Sequence, residues 1–265
     1  MIFSQNDSWK SLLKYISFLI IWLMVFSRTH ADFFVQDELT KIFNVSHGEI
    51  INSSITLFNP TERAVSIRIY QGDYIQNDDG ELLSVRAGSF YRSNANWIRF
   101  QSNLILQPQQ AISLPFTISI PNSSDLYGSY WSDLFVEEIT EMYFTDPEII
   151  GINIRTAVQI VSNIINTGRI DMTFGDIIFN EDTVSLALMN TGNQWVQSLI
   201  KIDVFNDRAE FVSSFVSEGN RLNPGFTRRI YIPVMLSKNT NYHAIIVADC
   251  GNGNIFGHQV SFIIE

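Results

Sequence analysis

The chain has 265 residues and a formal net charge of −10, from 17 Lys and Arg against 27 Asp and Glu. A surface that acidic repels phosphate backbones and anionic lipid heads, which argues against nucleic acid as a partner. One cysteine, Cys250, leaves no route to an intrachain disulfide, so any fold rests on its apolar core.

Residues 1–31 have the layout of a secretory leader. Lys10 and Lys14 precede the apolar run "ISFLIIWLMVF", and the small-residue site "THA" ends at Ala31. The run is short for a bilayer span, which needs roughly 20 apolar residues. Cleavage is expected, leaving no integral membrane span; an uncleaved N-terminal anchor is the alternative. Removing the leader takes three residues from the 17 basic ones and one from the 27 acidic ones, so the net charge becomes −12.

Beyond the leader, short alternating runs rich in Ile, Val, Thr and Phe are separated by Asn, Asp, Gly and Pro. "SITLFNP", "AVSIRIYQ", "ISLPFTISIP", "INIRTAVQIV" and "TVSLALMN" all read as strands. Many short strands with turn signals and no intervening helices predict an all-β protein. "QNDDGE" (76–81) carries acids that suggest calcium but reads more simply as a hairpin tip.

In "GSYWSDLFVEEI" (128–139), alternation puts Tyr130, Leu134 and Val136 on one face, toward the core. Trp131, Asp133, Phe135 and Glu137 fall on the other. Tyr130 sits where sandwiches carry a corner tyrosine, and Tyr242 is its counterpart downstream. The carboxylates raise the question of glycoside hydrolysis, which needs two carboxyls roughly 5 to 9 Å apart. Asp133 and Glu137, four rises apart on one strand, lie about 13 Å apart, and nothing identifies a partner from another strand. The loop "TEMYFTDPE" (140–148) holds Met142, Tyr143 and Phe144, costly to expose without a partner. After it, Ile150, Ile152, Ile154, Val158 and Ile160 share one face of a long strand, and Asn153, Arg155 and Gln159 share the other. Such a strand either packs its own core or offers an edge to another chain.

A weak repeat divides the chain. "SITLFNPTERAV" (54–65) is echoed by "SLALMNTGNQWV" (185–196), "LQPQQAISLPFTI" (106–118) by "LNPGFTRRIYIPV" (222–234), and "GSYWSDLFVEE" by "TNYHAIIVADC". The order is the same in both halves, which predicts two immunoglobulin-like β-sandwich domains in tandem, at 32–165 and 166–265. "CGNGNIFG" (250–257) follows an apolar strand as a dinucleotide loop would. Its glycine spacing is wrong and a strand follows, so Asn252-Gly253 is expected to be a hairpin turn. Cys250 ends a strand-like run and reads as a buried thiol. No nucleophile elbow, phosphate loop, two-His spacing or cysteine pair appears, so neither an enzyme, a cofactor nor a metal is expected.

"ITLFNPTERAVSIRIY", "NWIRFQSNLILQPQQAISLPFTISIP" and "INIRTAVQIV", behind a leader, resemble the periplasmic chaperones of bacterial pilus assembly over residues 38–165, and in outline over 166–265. The resemblance implies a chaperone that caps a pilin-like subunit, a protein partner with an incomplete β-fold, by lending it the last strand of the first domain. It also implies that two basic residues in the interdomain cleft anchor the subunit's C-terminal carboxylate. By position these are Arg155 and, nearest in the first strand, Lys41. The expected partner surface is therefore Arg155, Lys41, Ile150, Ile152, Ile154, Val158, Trp131 and Phe135, in a periplasmic protein. A surface adhesion or ligand-binding module using Trp131, Asp133 and Phe135 is the competing reading, and a structural subunit of an envelope assembly is a third.

Overall fold

The structure, a computed structural model, describes residues 33–76, 82–139 and 155–264. The leader, the hairpin tip at 77–81, the loop at 140–148, and Ile150, Ile152 and Ile154 lie outside the described residues.

The fold is all-β, with a single 3-10 turn at Ala95–Trp97 among the described residues. Ten strands build the first sandwich: β1 (Phe34–Val35), β2 (Thr40–Val45), β3 (Ile50–Phe58), β4 (Val65–Gln76), β5 (Leu82–Arg86), β6 (Ile98–Phe100), β7 (Asn103–Leu106), β8 (Ala111–Ser119), β9 (Ser129–Glu138) and β10 (Arg155–Ile164). One sheet runs β1-β3-β8-β6. The other runs β2-β10-β9-β4-β5, with β7 also on β4. Every pairing in them is antiparallel except β2 with β10. The period-two residues Ile55 and Leu57, Ile67 and Ile69, Leu114 and Phe116, Leu134 and Val136, and Val158 and Ile160 meet between the sheets in one buried cluster.

Seven strands build the second sandwich: β11 (Met172–Phe179), β12 (Thr183–Asn190), β13 (Val196–Asn206), β14 (Phe211–Leu222), β15 (Thr227–Pro233), β16 (Thr240–Asp249) and β17 (Ile255–Ile264). Its sheets run β11-β12-β15 and β14-β13-β16-β17. Leu186, Leu188, Ile200, Ile202, Val204, Ile230, Ile232, Ala244 and Ile246 form its core. Two face-to-face sheets of short, mostly antiparallel strands, made twice in succession, are the tandem immunoglobulin-like arrangement.

The repeat in sequence is also a repeat in hydrogen bonding. Asn59 and Asn190, both fully buried, end matching strands β3 and β12. The Asn59 amide donates to the carbonyls of Arg63, Leu106 and Gln107, and its Oδ1 accepts from the Thr61 N–H. The Asn190 amide donates to the carbonyls of Gln194 and Leu222, and its Oδ1 accepts from the Gly192 N–H. Each Asn thus ties its own turn to the echoed leucine of a later strand. Tyr242 is a corner tyrosine, its hydroxyl accepting from the Ser237 N–H at 3.1 Å. Tyr130 is buried as expected, but it packs against Trp97 with ring centroids 4.8 Å apart and lies beside the Arg92 guanidinium. Asn252-Gly253 makes the β16–β17 hairpin turn, with φ of 52° and 79°.

Candidate functional site

In the sheet that carries β9 and β10, both faces are covered along β9. β9 is buried over Ser129–Val136 on both sides, because its second face meets an aromatic patch and the second sandwich. Trp131 packs against Phe90 at 5.4 Å and edge-on against Phe226 at 5.7 Å, with Val161 and Trp195 completing the cluster. Phe135 lies on β4 where Gly72 has no side chain; a Cβ there would stand 2.5 Å from the Phe135 ring. Trp131 and Phe135 are each 1% exposed. This corrects the expectation that they present a partner surface, and it removes the face an adhesion module would need. Aromatic area of that size is buried where the chain can supply its own cover.

Polar bonds fix the same joint. The Trp195 N–H donates to Ser129 Oγ at 2.6 Å, Ser129 Oγ donates to Asn163 Oδ1 at 2.5 Å, and the Ser129 N–H donates to the Asn193 carbonyl at 2.8 Å. Gly128, at φ 67°, lies against the Asn193 carbonyl, where a Cβ would collide. The Gln76 side-chain amide spans to β15, donating to the Thr227 carbonyl and accepting from the Thr227 N–H. Arg221 donates to Thr40 Oγ1 at 3.0 Å.

Next to this joint is an open cleft of about 510 Å³. Tyr74, Gln76 and Gln159 line it from the first sandwich, and Trp195, Phe226, Arg221, Arg228 and Arg229 from the second. Among the described residues no carboxylate is within ion-pair distance of those three arginines. On a chain of net charge −10 the cleft is a local cationic site.

Arg155 shares the outer face of the sheet with the cleft wall. Its guanidinium is 4.3 Å from the centroid of Phe135 and lies beside the Tyr70 hydroxyl. Lys41 does not join it. In the parallel register Lys41 is level with Ile160, on the core side, while Thr40 faces the cleft and holds Arg221. Arg155 is five residues further along β10, about 16 Å at 3.3 Å per residue. The side chain of Lys41 instead pairs with Asp37 at 3.7 Å. Val158 is fully buried in the first core, which corrects its expected place on a partner surface. Pairing with β9 in that register aims it inward beside Leu134.

The acids are divided by environment. Glu137 pairs with Arg68 at 3.1 Å, and burial of its carboxyl is outweighed by Arg68 and Tyr70, which hold its pKa below the usual value. Asp133 is 4% exposed and pushed up to about 7, by burial first and then by the neighbouring Asp73, with Arg155 pulling the other way. Its Oδ2 makes no hydrogen bond among the described residues. Asp73 is bound through Ser93, whose hydroxyl donates to it at 2.8 Å. Among the described residues no group of three or more His, Cys, Asp or Glu is placed to hold a metal ion. Cys250 is half-buried, its thiol pushed up to about 11 by burial and by Asp249.

Reading the strands one at a time overlooked Arg221, Arg228, Arg229, Trp195 and Phe226. The repeat held the signal for two of them. Trp195 stands where the first copy has Ala64, and Phe226 where it has Gln110. A large aromatic gained in one copy marks the surface that copy buries against the other.

No protein-family model matches the chain, and no curated protein matches it in sequence. Solved structures do. One, described as a chaperone–tip adhesin complex vital for CFA/I fimbriae biogenesis, is 14% identical over 89% of this chain and 100% of that one, with a TM-score of 0.49. The class 5 fimbriae chaperone CfaA is 13% identical over 88% and 99%, with a TM-score of 0.46. The CsuC–CsuE chaperone–tip adhesion subunit complex of Acinetobacter baumannii is 11% identical over 76% and 90%, with a TM-score of 0.44. Most of the solved structures to which this chain is similar are fimbrial chaperones.

Proposed function

We propose that this chain is an exported, non-enzymatic, chaperone-like protein of the periplasm that holds a β-rich partner subunit by strand addition and assists assembly of a pilus or another surface structure. Its working body is two sandwiches divided near residue 165, following the leader. The observation that carries the reading is the open edge of β10. β2 pairs with β10 only from Gln159 onward, so among the described residues Arg155–Val158 are paired with β9 alone. The Gln159 N–H donates to the Leu39 carbonyl on the β2 side, so by strand alternation the N–H groups of Arg155 and Ala157 point to the same, open side. An unpaired row of backbone donors and acceptors is a template for another strand. Arg155, exposed at its end with its guanidinium over the Phe135 ring, offers a charge for a carboxylate.

Ala157→Pro tests this with little cost to the fold, because it removes one N–H that β9 does not use. The partner that co-purifies with the native chain from its source envelope is expected to be lost from Ala157→Pro and weakened by Arg155→Glu, with circular dichroism unchanged. Full retention by both folded variants would refute strand addition at this edge.

A further inference from the structure

Among the described residues the second sandwich has an open edge of its own, at β15, the terminal strand of the sheet β11-β12-β15. The direction of its backbone groups follows from bonds at both ends. Phe226 accepts from the Asn190 N–H, and the Val234 N–H donates to Asp182, so the even-numbered residues bond toward β12. Thr227 bonds the other way, to Gln76. The N–H and C=O groups of Arg229 and Tyr231 therefore face outward, with no strand of the described residues beside them. Pro233, without an N–H, ends the row. The Gln76 amide meets both backbone groups of Thr227 as the backbone of a neighbouring strand would, and so closes the row at its other end.

Charge selects the occupant. Arg228 and Arg229 are exposed on this strand, Arg221 stands beside them in the cleft, and no carboxylate of the described chain neutralises them. We propose that the β15 edge is a second docking site, taking an extended Asp- or Glu-bearing segment of a protein partner as an added strand against Arg229 and Tyr231, with its carboxylates on Arg221, Arg228 and Arg229. The site goes beyond the β10 edge and stands on its own geometry.

The test uses an eight-residue peptide of Glu and Val, with Glu at both odd and even positions so that carboxylates reach both faces of β15, with the full chain at low salt. Expected are saturable binding in calorimetry, slowed exchange of the Arg229 and Tyr231 amides, and at least a tenfold loss of affinity in the doubly substituted Arg228→Glu/Arg229→Glu chain. Ala157→Pro leaves this binding intact, which separates failure here from failure at β10. A Lys–Val peptide is expected not to bind. The proposal is overturned if the Glu–Val peptide does not bind at 1 mM, if the double variant binds as well, or if the protected amides lie elsewhere. It is also overturned in favour of a second copy if the concentrated native chain self-associates and the double variant does not. Both substituted residues are solvent-exposed, and near-UV dichroism of the variant confirms that it remains folded.

Discussion

Asp133 lies on β9 between its partners Gly72 of β4 and Gln159 of β10, buried, with the Asp73 carboxylate near it. Its pKa in the folded chain, about 7, is above the ordinary 3.8. Below pH 4 the acid is neutral in both states and adds no penalty. Between pH 4 and 7 the unfolded chain loses this proton first, so stability falls as pH rises, and above 7 the penalty is complete. Its size is of order 4 kcal/mol, three units at about 1.4 kcal/mol each. Asp133→Asn is therefore expected to raise the urea midpoint at pH 8 and to flatten its slope between pH 4 and 7; an unchanged pH profile would contradict this. The alternation that placed Asp133 opposite the core was legible in the sequence. Its burial was not, because the cover comes from residues far along the chain. Asn59 and Asn190 are the converse case, where an echo of one letter marked a shared bonding role. Asn190→Ala is expected to cost at least about 2 kcal/mol, since it strands the carbonyls of Gln194 and Leu222 and the N–H of Gly192. Asn59→Ala is expected to cost a similar amount in chemical denaturation.

Among elements, period-two patterning was enough to read β3, β4, β8, β10 and β12, because each puts one face into its own sandwich core. It assigned both faces of β9 correctly but not the burial of the second, since a strand buried on both faces departs from the alternation of a half-buried one. The joint that covers β9 depends on Trp195 and Phe226, whose neighbours are set by tertiary packing. Trp195→Ala removes a large side chain from that joint together with its hold on Trp131 and Val161. It is expected to cost roughly 3 to 5 kcal/mol and to resolve one calorimetric unfolding transition into two, as the sandwiches lose their coupling. A single transition at the native temperature would show that the joint carries no such energy. The cleft was the least legible part. Its arginines come from a β14–β15 corner that no local pattern links to the outer face of β10. The pair expected to anchor a carboxylate is not assembled, because one residue of register places Lys41 on the core side and Thr40 on the cleft side.

At the scale of the whole molecule, a chain of net charge −10 gathers Arg221, Arg228 and Arg229, none with an ion pair among the described residues, in one cleft beside two strand edges that no other described strand covers. Sequence pattern supplied the architecture. The open stretch of β10 could not be read from it, because that stretch depends on where β2 stops pairing. No helix among the described residues is long and apolar enough to cross a membrane. Two strand edges left open among the described residues and a cationic cleft beside the joint are what the proposed holding of an unfinished β-fold would use. The most direct test is amide hydrogen exchange across β10, with and without the co-purified partner. Strand addition predicts that the Arg155 and Ala157 amides exchange freely in the isolated chain and are strongly slowed in the complex. Exchange at both positions that does not change on partner binding would contradict it.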